Sequence, residues 1–321
     1  MKTSSNLVRD CRKYYVSELE KIYGSNEANA LIMILLEHYF GIDRVKIALE
    51  PELRLSESEM LTLHFAVKEL LKNKPVQCIL GETDFCGMRF FVDENVLIPR
   101  PETEELVNKL AVSSCQLAVN PSSTSFRPVI ERSEMVVEKS PANITILDIG
   151  TGSGCIAISL AKSLKNSVVT AVDVSEKALE VAKKNAETNG VNVNFIKDDI
   201  LNPKNQELLE SKFDIIVSNP PYVCESEKSE MRANVLDYEP STALFVSDND
   251  PLIFYRKILE FAQKTLESDG EVWFEINEKF GTEMKNLCIG KGFKNVEIIK
   301  DFRERDRILR TYGLVHSTTS I

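Results

Sequence analysis

Ser218, Asn219, Pro220, Pro221 and Tyr222 follow directly on the apolar run Ile215, Ile216 and Val217. A short β-branched run of this kind reads as a buried parallel strand. Proline cannot donate to a sheet ladder, so the strand has to stop at Ser218 or Asn219. Beyond it stands a rigid group made only of acceptors. The Asn219 side-chain oxygen and the Pro220 carbonyl can each accept from one hydrogen of a planar NH₂ group. The prolines remove N–H groups that would compete and hold φ near about −65°, and Asn219 is pushed extended by the proline after it. Tyr222 adds a flat face for stacking. An amide or aromatic amine nitrogen is a poor nucleophile because its lone pair is delocalised. In-line attack by such a nitrogen depends chiefly on orientation, which a rigid cradle supplies. The motif contains no general base.

A second constellation lies upstream. Asp148, Ile149, Gly150, Thr151, Gly152, Ser153 and Gly154 close an apolar strand with glycines where a backbone must turn tightly and let a ligand approach. The third glycine comes one residue too early for GxGxxG, the fingerprint that seats a pyrophosphate on a helix, which counts against a dinucleotide. Asp173 ends the next strand, where its carboxylate can accept from ribose hydroxyls, and Asp199 ends the third, within reach of an adenine amino group. Glycine loop, ribose acid and adenine acid together describe an adenosyl ligand without phosphates. Asp148, just before the turn, is expected to tie the loop's amides.

These residues need a sheet to bring them together. From residue 144 onward strands and helices alternate, which predicts a mainly parallel sheet covered on both faces, with ligands at the carboxyl ends of its strands. The segments ITILDIG, SVVTAVDV, NVNFIKDD, FDIIVSNPPY, GEVWFEI, NVEIIK and RILRTYG supply seven strands. Ser175 caps the helix after the second strand and Gly190 ends it.

The first 75 residues read as helical. Ala28, Leu31, Ile32, Leu35, Leu36 and Tyr39 recur at helical spacing, with Asn26 placed to cap the start and Gly41 the end. Ser56 and Glu59 form a capping box before Leu63, Ala66, Val67 and Leu70. Residues 89–98 alternate toward a hairpin that turns at Asp93, Glu94 and Asn95, and a helix begins at Pro101. Residues 113–143, rich in Ser, Pro and charge, are expected to be a mobile surface linker. The chain thus divides into a helical domain at 1–75, a hairpin, helix and linker at 76–143, and the sheet domain at 144–315.

The chain of 321 residues carries 39 Lys and Arg against 49 Asp and Glu, a net charge of −10 that opposes general attraction to nucleic acid. Its longest apolar run, residues 30–36, falls far below the roughly 20 that span a bilayer. The N-terminal MKTSSNLVRDCRKYY has no signal-peptide core. A cytoplasmic protein without membrane partners is expected. Seven cysteines without a CxxC pair and three histidines give no metal-ligand cluster.

SNPPYV, LDIGTGSG and LIPRPETEELV together strongly resemble the HemK/PrmC-type glutamine N5-methyltransferases, as do PVQCILG and LDYEPSTAL. NPPY alone is shared with adenine N6-methyltransferases. The resemblance implies a seven-stranded Rossmann-like class I S-adenosylmethionine-dependent methyltransferase domain behind a small helical substrate-recognition domain, joined by a β-hairpin. It implies methyl transfer to N5 of the glutamine in the Gly-Gly-Gln motif of peptide chain release factors, with S-adenosylhomocysteine as product. Carried over by position, it implies Gly150, Thr151, Gly152, Ser153, Gly154, Asp173, Asp199, Ile200 and Asn219 as the cofactor site. It likewise implies Asn219, Pro220, Pro221 and Tyr222 as the glutamine pocket, with Asn219, Pro220 and Tyr222 catalytic, and no metal. A monomer is expected, without direct nucleic-acid contact. The alternatives are an amino methyltransferase acting on a ribosomal-protein glutamine or on adenine, and a non-catalytic adaptor. Glu239 and Glu275 read as either pocket residues or ordinary strand and turn carboxylates, the structural reading being preferred.

Overall fold

Helical periodicity builds the first part of the chain. The computed structural model describes residues 5–119, 143–231 and 233–315. Five helices open it: α1 (Val8–Tyr23), α2 (Ser25–Phe40), α3 (Arg44–Leu49), α4 (Glu57–Leu70) and α5 (Val76–Leu80). Ala28, Leu31, Ile32, Leu35 and Leu36 on α2 pack with Tyr15 and Leu19 on α1 and with Leu63 and Val67 on α4. Gly24 alone separates α1 from α2, and at φ +76° it takes the capping position expected of Asn26, which lies inside the first turn. The capping box at Ser56 and Glu59 is complete: each backbone N–H donates to the other's side chain. Of the described residues, 5–83, 231 and 233–238 form one compact unit, and 84–119, 143–230 and 239–315 form the second.

The hairpin falls earlier than expected. Strands β1 (Glu82–Phe85) and β2 (Met88–Phe91) turn at Cys86 and Gly87, whose φ values of +49° and +70° match a two-residue turn with both central residues left-handed. At 93–98 there is no strand. Asp93 instead accepts from the Asn95 N–H at 2.9 Å, an Asx turn. The alternation there reflects burial of Val92 and Val96 against Ala178 and Val181. Helix α6 (Pro101–Val119) also runs beyond residue 113, where the linker is expected to begin. Ser114, buried, satisfies its hydroxyl by donating to the Leu110 carbonyl one turn back, which removes the polar penalty of serine within a helix. The remainder of that linker, 120–142, lies outside the described residues.

The second unit continues with β3 (Ile144–Ile149), α7 (Cys155–Ser163), β4 (Ser167–Asp173), α8 (Glu176–Asn189), β5 (Asn194–Lys197), α9 (Gln206–Glu210) and β6 (Phe213–Ser218). The short β7 (Val223–Cys224) follows, then α10 (Ala233–Leu236) in the residues that belong to the first unit, α11 (Ser241–Leu244), β8 (Phe245–Val246), α12 (Ile253–Thr265), β9 (Leu266–Glu275), α13 (Gly281–Gly290), β10 (Phe293–Lys300) and β11 (Asp306–Leu314). Seven strands make one sheet in the order β10-β11-β9-β6-β3-β4-β5. Only β11 is antiparallel to its neighbours. The chain winds outward from β3 in both directions, so the switch point lies at the carboxyl end of β3. Successive residues feed opposite faces: Ile215 and Val217 join Trp273 in one core layer, and Ile216 joins Ile258 and Phe274 in the other.

Two buried polar side chains fix the loop after β3. Asn185 on α8, fully buried, accepts from the Phe91 N–H at 2.7 Å and donates to the carbonyls of Phe91 and Ser153 at 3.0 and 2.9 Å. It ties the hairpin to the glycine loop. Asp148 accepts through Oδ2 from the Thr151 hydroxyl at 2.6 Å and the Ala157 N–H at 3.2 Å, rather than from the glycine amides. Its Oδ1 is buried without a partner. Burial raises the Asp148 carboxyl to about 7, partly offset by the bonds from Thr151 and Ala157 and reinforced by the neighbouring Asp173.

Replacing Asn185 with Ala leaves one buried and two partly buried backbone groups without their partner, and urea unfolding should show a loss of about 2–4 kcal/mol; a loss below about 1 kcal/mol would show that these groups do not depend on it. For Asp148 the unfolded acid ionises near about 4 and the folded one near about 7. Between those values the folded state holds the extra proton, so stability should fall as pH rises through the window, by roughly 2–4 kcal/mol from this group. Asp148→Asn should remove that slope. Parallel stability curves for the variant and the unaltered protein would contradict the assignment.

Candidate active site

Four strand ends converge on one cleft. At the end of β3 the amides of Gly150 and Thr151 both donate to the Val172 carbonyl of β4, at 2.8 and 3.0 Å, which curls the loop over the neighbouring strand. Gly150 and Gly152 have φ of +75° and +54°, and a Cβ on either would meet nothing within 4 Å. Backbone handedness and an open face, rather than packing, require glycine here. Gly154 differs: at φ +82° a Cβ would stand 2.8 Å from Ile158 Cδ1 and 3.1 Å from Ala182 Cβ. Its place is structural, at the start of α7.

Asp173, at the end of β4, accepts from the Gly152 N–H through Oδ2 and from the Ser175 N–H through Oδ1, both at 2.9 Å. Each oxygen keeps a lone pair for a ligand. Burial raises this carboxyl, against the bonds from Ser175 and Gly152. After β5 the two aspartates divide the work. Asp198 accepts from the amides of Asp199, Lys204 and Asn205 and so organises the loop. The Asp199 carboxylate accepts only from the Leu201 N–H among the described residues, leaving one of its oxygens open.

After β6, the Ser218 hydroxyl donates to the Ile149 carbonyl at 2.6 Å and fastens the strand end to β3. Asn219 Nδ2 donates to Thr103 Oγ1 at 3.3 Å, Thr103 Oγ1 donates to Glu275 Oε2 at 2.7 Å, and the Tyr222 hydroxyl donates to Glu275 Oε1 at 3.0 Å. The Glu275 carbonyl accepts from Tyr255, and Asn277 Nδ2 donates to the Tyr222 carbonyl. Burial raises both the Glu275 carboxyl and the Tyr222 phenol. Nearby, buried Glu239 accepts from the Arg100 guanidinium and from the Ile98 N–H.

The cleft encloses about 600 Å³ and is lined by Gly150, Thr151, Gly152, Ser153, Asp173, Asp199, Ile200, Asn219, Pro220 and Pro221. Of the residues expected from sequence, Gly154 and Tyr222 do not line it. Tyr222 packs on the core and sends its hydroxyl to Glu275. Arg100, Thr103 and Asn185 are not singled out by the sequence, and Glu239 and Glu275 read there as either pocket residues or structural carboxylates, with the structural reading preferred. Their partners lie at least 32 residues away, with the Arg100–Glu239 and Thr103–Glu275 bonds spanning 139 and 172 positions. No local periodicity reports such pairs. A second cavity of about 540 Å³ lies at the opposite, amino ends of β4 and β5 and has exposed Lys183, Glu187 and Asn194 in its lining.

S-adenosylmethionine fits the cleft on its chemistry. Arg100 is the only basic residue among those lining it, against Glu94, Asp173, Asp198 and Asp199. That balance suits a cationic sulfonium and offers little to a pyrophosphate. The open faces of Gly150 and Gly152 let a ligand approach the backbone, and the free lone pairs of Asp173, which lines the cleft, leave acceptors for hydroxyl donors. No group of His, Cys, Asp and Glu among the described residues could hold a metal ion. No helix among them is long and apolar enough to cross a membrane.

Residues 10–81 match the family described as PrmC N-terminal domain, and residues 129–237 match Methyltransferase small domain. The chain is 44% identical to the release factor glutamine methyltransferase of Flavobacterium psychrophilum over 95% of its own length and 98% of that protein's. It is 40% identical to the one from Bacteroides thetaiotaomicron over 92% and 96%. Among solved structures, the hMettl16 catalytic domain superposes with a TM-score of 0.50 at 16% identity, covering 81% of this chain and 83% of that one, a likeness of fold. With a relative this similar end to end, the chain belongs to the release factor glutamine methyltransferase family.

Proposed function

We propose that this protein transfers a methyl group from S-adenosylmethionine to the side-chain amide nitrogen of the glutamine in the Gly-Gly-Gln motif of peptide chain release factors, the S–CH₃ bond breaking as the N–CH₃ bond forms, with S-adenosylhomocysteine as product and one amide proton released to water. The observation that carries the reading is Asn219. Its Nδ2 is engaged by Thr103 at the floor of the cleft, and its Oδ1 has no partner among the described residues. When bound, the cofactor supplies an electrophilic methyl on a sulfonium sulfur.

The chain's own residues do the rest by positioning. Gly150 to Ser153 give an open backbone against which the amino-acid part lies, Asp173 accepts from the ribose hydroxyls, and Asp199 with Ile200 receives the adenine. Asn219 Oδ1 and the Pro220 carbonyl accept the two hydrogens of the target amide, holding its nitrogen in line with the methyl. Pro221 keeps the carbonyl fixed. Tyr222, tied at both its hydroxyl and its carbonyl, anchors the end of the segment from behind the cleft without lining it. Accepting both N–H bonds draws electron density toward nitrogen as the new N–C bond forms, which offsets part of the amide's poor nucleophilicity. The helical unit is the part that recognises the release factor, and the enzyme works as a monomer in the cytoplasm, with neither membrane nor nucleic acid as a partner.

The test is methyl transfer to an unmethylated release factor, mapped by peptide mass spectrometry. Methyl is expected on the Gly-Gly-Gln glutamine; transfer instead to a ribosomal protein or to adenine in nucleic acid would overturn the substrate. Asn219→Ala should lower turnover by roughly 100-fold or more while calorimetric affinity for S-adenosylhomocysteine changes little. Equal losses in both would remove Asn219 from the transfer step. Asp173→Ala should weaken that affinity by roughly 10- to 100-fold, as expected for charge-assisted bonds to ribose, and unchanged affinity would refute the ribose assignment.

A further inference from the structure

An asparagine amide placed as an acceptor has a weakness: turned over about its last torsion, the same side chain presents a donor. At Asn219 something has to decide which end faces the cleft. We propose that Thr103 and Glu275 are positioning residues that set the orientation of the Asn219 amide, so that Oδ1 and not Nδ2 is presented to the glutamine; the proposal rests on the function given above.

A threonine hydroxyl has one hydrogen to give. At Thr103 it goes to Glu275 Oε2 at 2.7 Å, and an ionised carboxylate accepts only. What Thr103 then offers Asn219 is a lone pair. Only Nδ2 can use it, at 3.3 Å, and Oδ1 is necessarily turned the other way. The other carboxylate oxygen accepts from the Tyr222 hydroxyl at 3.0 Å, so a single acid orients both ends of the Asn-Pro-Pro-Tyr segment. Thr103 and Glu275 are both buried, and water has little room to substitute. Glu275 is held from behind as well, because its carbonyl accepts from Tyr255. Burial raises this acid, while the bonds from Thr103 and Tyr222 and the nearby Arg307 favour its ionised form.

Thr103→Val keeps the shape and removes the hydroxyl. Thr103→Ser keeps the hydroxyl and removes a methyl. In Glu275→Gln one oxygen becomes an NH₂ group, which can donate to Thr103 and free the threonine hydrogen to turn Asn219 over. The full-length protein would be assayed with an unmethylated release factor, alongside Asn219→Ala. Thr103→Val and Glu275→Gln should each lower kcat by roughly 10- to 100-fold, the scale of a misdirected contact. Their KM for the release factor and calorimetric affinity for S-adenosylhomocysteine should stay within about threefold, and Thr103→Ser should restore kcat to within about threefold.

A Thr103→Val enzyme turning over within about twofold of the unaltered one would overturn the proposal, as would Thr103→Ser failing as badly as Thr103→Val. A parallel loss of S-adenosylhomocysteine affinity would also overturn it, because it would mean general collapse of the cleft. If Asn219→Ala also leaves transfer intact, the acceptor cradle itself is wrong. If Asn219→Ala abolishes transfer and the Thr103 variants do not, only the orienting pair fails.

Discussion

A carboxylate shut away from water has to be supplied with donors, and this requirement organises the active end of the sheet. Glu239 is supplied by Arg100 and the Ile98 amide, and Glu275 by Thr103 and Tyr222. Both acids therefore reach for the same short segment, residues 98–103, and fasten it at Ile98, Arg100 and Thr103. Asp148 does the same within the loop after β3, drawing Thr151 and the start of α7 together. The cleft walls come from segments far apart in the chain, and these acids tie them together.

The same acids shape the electrostatics. Asp173, Asp198 and Asp199 face the cleft with Arg100 as the single basic counterweight among its lining residues. In that field a ligand carrying a sulfonium and an ammonium is favoured over one carrying phosphates. The glycine loop fits this choice. Its amides are drawn to the Val172 carbonyl and to Asp173 instead of pointing as a set into the cleft to wrap an anion.

What the sequence made legible is what local chemistry determines. β-branched runs marked the parallel strands, and Ser175 and Gly190 marked α8, because each signal is complete within a few residues. Asn219 and its prolines were legible for the same reason. The hairpin was misplaced because Val92 and Val96 alternate like a strand while packing on α8, and because a Cys-Gly pair is a weaker turn signal than Asp-Glu-Asn. The linker was drawn too early because serine in a helix becomes acceptable once its hydroxyl bonds back to the preceding turn, as at Ser114. Arg100 and Thr103 lay within LIPRPETEELV, but their roles, like that of Asn185, gave no local signal, since each depends on a partner far along the chain.

The two prolines can now be placed in the energetics of the site. Between Ser218, bonded to the Ile149 carbonyl, and Tyr222, bonded at both ends, only three residues are unanchored. Two of them have φ fixed by a ring, and the third is biased extended by the proline after it, so little freedom is left to lose when a substrate arrives. Rigidity of the backbone would still leave the Asn219 side chain free to turn over. That last degree of freedom is the one the backbone cannot control, and it is met by a buried hydroxyl and a buried acid. Burial raises Glu275, so its ionised form costs folding stability above its unfolded titration range. A neutral apolar replacement would relieve that cost and lose the direction of the hydrogen bonds. The site thus gives up some stability to keep one acceptor facing one way.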